Sequence, residues 1–199
     1  MHTEFENYLA AQTDLPAETI RHIGSVATLR RLAKNEALLT AGEICRHKVF
    51  IISGMLRSYY LRTDGSEHIL QFSPQHTWTL DVESYDKQTP ALVNIEAVER
   101  SVVLLWTRPD FDKLLRDIPA LKKFSESLIA RTIYHNRNRI LTILSGTPEE
   151  RYADFINTYP DYLARLPLRM VAAYLGISLK TLTRIRHAKQ QREAGIMDK

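Results

Sequence analysis

Hydrophobic positions change rhythm three times along the chain. An amphipathic opening groups Phe5, Tyr8 and Leu9, and Leu15-Pro16-Ala17-Glu18 reads as a helix start, with the helix fading near Ser25. From residue 28 to residue 106, short apolar or alternating runs are broken by turn residues. KVFII (48–52) meets Ser53-Gly54, MLRSYYL (55–61) leads to Thr63-Asp64-Gly65-Ser66, and EHILQF (67–72) follows. Asp-Gly between two alternating runs marks a hairpin, because both residue types tolerate positive φ. Further strands are predicted at 94–98 and 102–106. Short strands at this spacing make a compact antiparallel barrel or roll.

The rhythm then becomes helical. Pro109 opens a segment with Phe111, Leu114, Leu115 and Ile118 on one face. A longer helix is predicted from near Pro119 to about Ser145, carrying Leu121, Phe124, Leu128, Ile129, Ile133, Ile140, Ile143 and Leu144. These residues occupy more than one stripe, so the helix is predicted to pack against the roll and against a second copy of itself. The polar interruption at 134–139 fits a wet section of that seam. Thr147 caps the next helix, Pro148 suits its first position, and Glu150 completes a capping box. Gly146 is thereby predicted to be a joint between two bodies. Tyr152, Phe155, Ile156 and Tyr159 form an apolar face, and Tyr159-Pro160 stops the helix. The expected organisation is α+β: an antiparallel β-roll over 1–116, a long dimerisation helix over 117–145, and a helix-turn-helix domain over 146–199.

The last assignment rests on AAYLGISLKTLTRIR (172–186). Val171 and Leu175 on one helix, and Leu182 and Ile185 on the next, are spaced to face each other. Ala172 allows close approach where the axes cross, Gly176 takes the turn, Ile177 plugs the corner, and Ser178 caps the second helix. Small residue, turn glycine and apolar plugs fall where a helix-turn-helix needs them. At 100° per residue, Lys180, Thr183, Arg184, His187 and Gln191 lie opposite Leu182 and Ile185. Arg and Lys suit guanine edges and phosphates, Thr suits several bases, and Gln suits adenine. Arg186 and Lys189 lie nearer the buried edge, within reach of flanking phosphates. No acid occurs between Asp161 and Glu193, whereas Arg165, Arg169, Lys180, Arg184, Arg186, Lys189 and Arg192 do. A solvated face ordinarily mixes both signs. The predicted DNA-contacting residues are Arg169, Ser178, Lys180, Thr181, Thr183, Arg184, His187 and Lys189.

Composition narrows the alternatives. The chain has 199 residues, 44% hydrophobic and 25% charged, with net charge +4. This is an ordinary soluble composition with a mild lean towards anionic partners. Its apolar runs are too short for a bilayer, and the N-terminus lacks signal-peptide character, so a cytoplasmic location without membrane contact is expected. The single cysteine, Cys45, permits no intrachain disulfide and reads as a packed or half-exposed thiol.

In this order and at this length, roll, long helix and helix-turn-helix resemble the Crp/Fnr family of bacterial transcription regulators. The likeness is strongest at YLGISLKTLTRI (174–185) and VFIISGMLRSYYLRTDGSE (49–67). It implies a homodimer joined along the long helix, a winged-helix-like C-terminal domain placing 178–187 in a major groove of double-stranded DNA, and RNA polymerase as a partner. Leu179-Lys180 stands where the family commonly carries Arg-Glu, so a different operator is implied. Because the chain ends soon after the recognition helix, any wing must be short or missing. Cyclic-nucleotide binders in the family use a Gly-Glu pair on a short helix of the roll and an Arg-Ser pair soon after. Here no glycine occurs between Gly65 and Gly146 and no arginine between Arg62 and Arg100. A buried phosphate would lack its main compensating partners, which argues against cyclic AMP and leaves no cofactor assigned. Trp78, Glu83 and Tyr85 are candidates to line a different effector pocket, with core packing or surface loop as the plainer reading.

Two rivals remain. A cupin-like metalloenzyme needs converging histidines, yet none of the seven pairs at ligand spacing, so no metal site is assigned. Without a G-x-S-x-G elbow a serine hydrolase has no support either, and a non-enzyme is expected. A ligand-binding module that has lost DNA binding is opposed by Arg184 and the basic run.

Overall fold

The computed structural model describes residues 3–197, and side chains as far as Gln191. Helices α1 (Thr3–Gln12) and α2 (Ala17–Ser25) precede strands β1 (Thr28–Leu32), β2 (Ala37–Leu39), β3 (His47–Ser53), β4 (Met55–Leu61), β5 (Glu67–Pro74) and β6 (Trp78–Thr79). The short helix α3 (Val82–Lys87) comes next, then β7 (Asn94–Ala97) and β8 (Ser101–Thr107). The strands form two four-stranded sheets, ordered β1-β8-β3-β6 and β2-β7-β4-β5. Their registered pairs are antiparallel. This is the expected roll.

Strands β3 and β8 explain why the centre of the roll reads as unbroken apolar text. In β3, Val49 and Ile51 point between the sheets, where they meet Leu32, Leu39, Leu56, Ile95, Ala97 and Val103. Phe50 and Ile52 point the other way and meet Phe5, Leu9, Ile20, Ile23, Leu104, Trp106 and Phe111. Successive strand residues face opposite sides, so a strand covered on both sides must be apolar throughout. The indole nitrogen of Trp106 donates to the carbonyl of Ile23 at 2.8 Å, which ties α2 to this second layer. Cys45 is buried, the packed one of its two expected environments.

After the roll come α4 (Arg108–Asp117), α5 (Pro119–Ser145), α6 (Pro148–Thr158), α7 (Tyr162–Arg165), α8 (Leu168–Leu175) and α9 (Leu179–Met197). Leu121 and Phe124, in the first turns of α5, join the helical layer against the roll. The described chain forms two compact units, and their boundary falls inside α5 at Arg131/Thr132, with Glu67–Ile69 grouped in the second. Beyond α8 the described residues contain no strand and continue as α9 to Met197.

Gly54 makes the tight link between β3 and β4, with φ of +93°. A Cβ there would lie 2.7 Å from the carbonyl oxygen of Arg100 and 2.7 Å from the Cα of Ser101. Gly54→Ala therefore combines a left-handed backbone cost of about 1–2 kcal/mol with overpacking of about 1–3 kcal/mol. A loss of about 2–5 kcal/mol is expected in urea unfolding of the roll.

Candidate nucleic-acid interface

The C-terminal unit is built to hold one helix by one side. Val171, Ala172, Leu175, Leu182 and Ile185 are all buried, so α8 and α9 meet through the residues their spacing selects. Gly176 has φ of +67°, and its N–H donates to the carbonyl of Ala172. The N–H of Ile177 donates to that same oxygen at 3.1 Å, which closes the end of α8. A side chain at this φ would be strained, so glycine is required at the turn. Ser178 Oγ then accepts the Thr181 N–H at 3.0 Å and caps α9.

With Leu182 and Ile185 inward, Lys180, Arg184, His187 and Gln191 are exposed together on the opposite side of α9. Lys189 is exposed and Arg186 half-buried nearer the flank, and Arg169 is exposed on α8. The three hydroxyls are engaged locally. Ser178 and Thr181 share a 2.8 Å hydrogen bond within the cap, and Thr183 donates to the Leu179 carbonyl at 2.9 Å. Arg184 lies 3.4 Å from Glu149, in the first turn of α6. Both side chains are well exposed, and a pair of that kind is worth about 0–1 kcal/mol. A phosphate or a guanine edge can therefore displace the carboxylate at small cost.

Sequence reasoning missed the arginines that fix this unit from behind. Thr147 and Glu150 form the expected capping box at the start of α6. One turn later, Arg151 donates to the carbonyls of Ile143 at 2.6 Å, Gly146 at 3.0 Å and Leu175 at 3.4 Å. It thus ties the end of α5, the Gly146 link and the end of α8 to one side chain. Arg139 donates to the Tyr174 carbonyl at 2.9 Å and lies 4.0 Å over the Tyr174 ring. The acceptors are backbone oxygens on other elements, so no side-chain pattern in the sequence announces these contacts. Among the aromatic residues behind α9, burial pushes the Tyr162 phenol up to about 12.

The three effector-pocket candidates occupy different surroundings. Trp78 packs in the helical layer against Phe5, Phe50, Trp106 and Phe111. Beside it the buried Lys48 ammonium lies 5.7 Å from the indole ring, and burial lowers its pKa. Tyr85 packs on the cluster between the sheets, where burial pushes its phenol well above the ordinary range. Glu83 is exposed and pairs with Lys87 at 2.8 Å. The N-terminus of α3 is filled by its own chain: Asp81 accepts the Ser84 N–H at 2.9 Å, and Ser84 Oγ accepts the Cys45 N–H at 2.9 Å. Among the described residues, no three His, Cys, Asp or Glu side chains gather as a metal site, and no helix is long and apolar enough to cross a membrane.

Comparison with known proteins places this architecture. The cyclic nucleotide-binding domain family model matches residues 29–117. The chain is 26% identical over 179 residues to the transcriptional activator protein Anr of Pseudomonas protegens, a match spanning 82% of this chain and 71% of Anr. Among solved structures, FixK2 of Bradyrhizobium japonicum superposes with a TM-score of 0.73 at 22% identity, covering 84% of this chain and 86% of FixK2. A protein of Eubacterium rectale described as a Crp/Fnr-family transcriptional regulator gives 0.72 at 19% identity, covering 94% and 88%. Residues 29–117 thus match the cyclic nucleotide-binding domain family, and along most of its length the chain is similar in sequence to the activator Anr and in fold to Crp/Fnr-type regulators.

Proposed function

We propose that the chain is a sequence-specific DNA-binding regulator of transcription, acting as a homodimer and not as an enzyme. The observation that carries this reading is the exposed Lys180, Arg184, His187 and Gln191 row, held outward by buried Leu182 and Ile185. In the major groove that row faces base edges, with Arg184 set for a guanine and Lys189 for a phosphate.

The second half of α5 supports the dimer. Ile129, Ile133, Ile140 and Leu144 recur at helical spacings of four, seven and four and are 52%, 58%, 56% and 78% exposed. Such a stripe is costly in water, and the same stripe on a second copy covers it. Two copies of α9 then present to half-sites about 34 Å apart. A signal that shifts the paired α5 helices would change that separation, a population shift between two dimer geometries. RNA polymerase is the further partner that the family resemblance suggests, and a cytoplasmic location follows from the function.

The roll is not read as a cyclic AMP sensor. Asp81 already places a carboxylate on the first turn of α3, and a phosphate brought to that turn would meet like charge, with no arginine between Arg62 and Arg100 to offset it. Trp78, Glu83 and Tyr85 remain a proposed alternative effector-lining set only in part, since Trp78 and Tyr85 sit in separate clusters.

Selection of random duplexes on the purified protein is expected to return a two-fold symmetric motif. On that motif, Arg184→Ala is expected to cost about 1–3 kcal/mol per half-site and to relax preference at one base pair. Lys189→Ala is expected to weaken all duplexes alike and to flatten the salt slope by about one unit. Unchanged affinity and base preference in Arg184→Ala would remove Arg184 from the reading face. Ile140→Asp is expected to convert dimer to monomer in sedimentation velocity, and cyclic AMP is expected to leave the thermal midpoint unmoved.

A further inference from the structure

Within the C-terminal unit, a cavity of about 220 Å³ opens between the second half of α5, α6 and the end of α8. That space is worth about seven waters. Its lining combines two guanidiniums, Arg139 and Arg151, with a single acid, Asp154, and with the rings of Tyr159 and Tyr174. Three of the Arg151 N–H groups are spent on carbonyls, which carry only partial charge. The formal charge of Arg139, Arg151 and Asp154 together is one positive unit.

We propose that this cavity is a binding site for a small aromatic carboxylate. A carboxylate matches the planar fork of a guanidinium, where it gains charge-assisted hydrogen bonds. An aromatic ring attached to it packs on the apolar part of the lining, Ile143, Phe155 and Leu175, which a plain anion leaves unused. One net positive charge favours a monoanion over a phosphate dianion. The position also matters, because Arg139 and Arg151 hold the carbonyls of Tyr174 and Leu175, the last residues before the Gly176 turn. A ligand on those guanidiniums bears on the turn that aims α9. The proposal does not depend on DNA binding, and its test uses no DNA.

The probe is benzoate, titrated into the full chain at low salt while thermal unfolding is followed, with acetate and inorganic phosphate as parallel arms. Benzoate is expected to raise the unfolding midpoint saturably; at about tenfold above its Kd, mass action weights the folded state about tenfold. Asp154→Asn removes the one lining acid at an exposed position and is expected to tighten benzoate about fivefold. Thr158→Trp, also at an exposed lining position, fills the space and is expected to abolish the rise without touching either arginine. A midpoint that does not move with benzoate overturns the proposal. So does a rise matched by acetate or phosphate, one kept in Thr158→Trp, or one that Asp154→Asn leaves unchanged.

Discussion

Burial of Leu182 and Ile185 is the constraint on which the C-terminal unit depends. Both are sunk in the core that α9 shares with α8, so the helix cannot roll about its axis without exposing them. Each such side chain is worth about 1.5–3 kcal/mol when fully buried. That energy fixes which side of α9 faces solvent, and the cationic row follows from it. The Gly176 turn and the Ser178 cap set where the helix begins, and Arg151 holds the same turn from behind. Azimuth, start and support thus have separate causes, each of them local.

The roll applies the same physics to a different end. Strands β3 and β8 are covered on both sides, by the second sheet on one and by α1, α2 and α4 on the other. A sheet so enclosed is a rigid base for the first turns of α5, where Leu121 and Phe124 are buried. Further along, α5 leaves Ile129, Ile133, Ile140 and Leu144 in solvent. One helix therefore carries two apolar faces of different destiny, which is why its hydrophobic residues spread over more than one stripe.

Much of this was legible in the sequence. The long helix runs from Pro119 to Ser145 as its proline start and glycine stop indicate, and MLRSYYL spans β4 from Met55 to Leu61. The capping box at Thr147 and the turn at Gly176 form as read, because their partners lie within a few residues. What escaped has longer reach or weaker pattern. Strand β6 is only Trp78 and Thr79 and exists through its pairing with the distant strand β3, Val49↔Thr79 and Phe50↔Trp78. Arg151 looks like an ordinary helix-surface arginine until the carbonyl of Leu175 is brought to it. The engagement of Thr181 and Thr183 within α9 was equally hidden, since a hydroxyl facing solvent and one bonded to its own helix have the same spacing.

The most direct measurement is amide NMR of the full chain with and without a duplex carrying the selected motif. Shifts concentrated at Lys180, Arg184 and His187, with the flanking turn at Ser178, are the outcome expected if α9 reads DNA. Shifts confined to other elements, with α9 unmoved at saturating duplex, would contradict it.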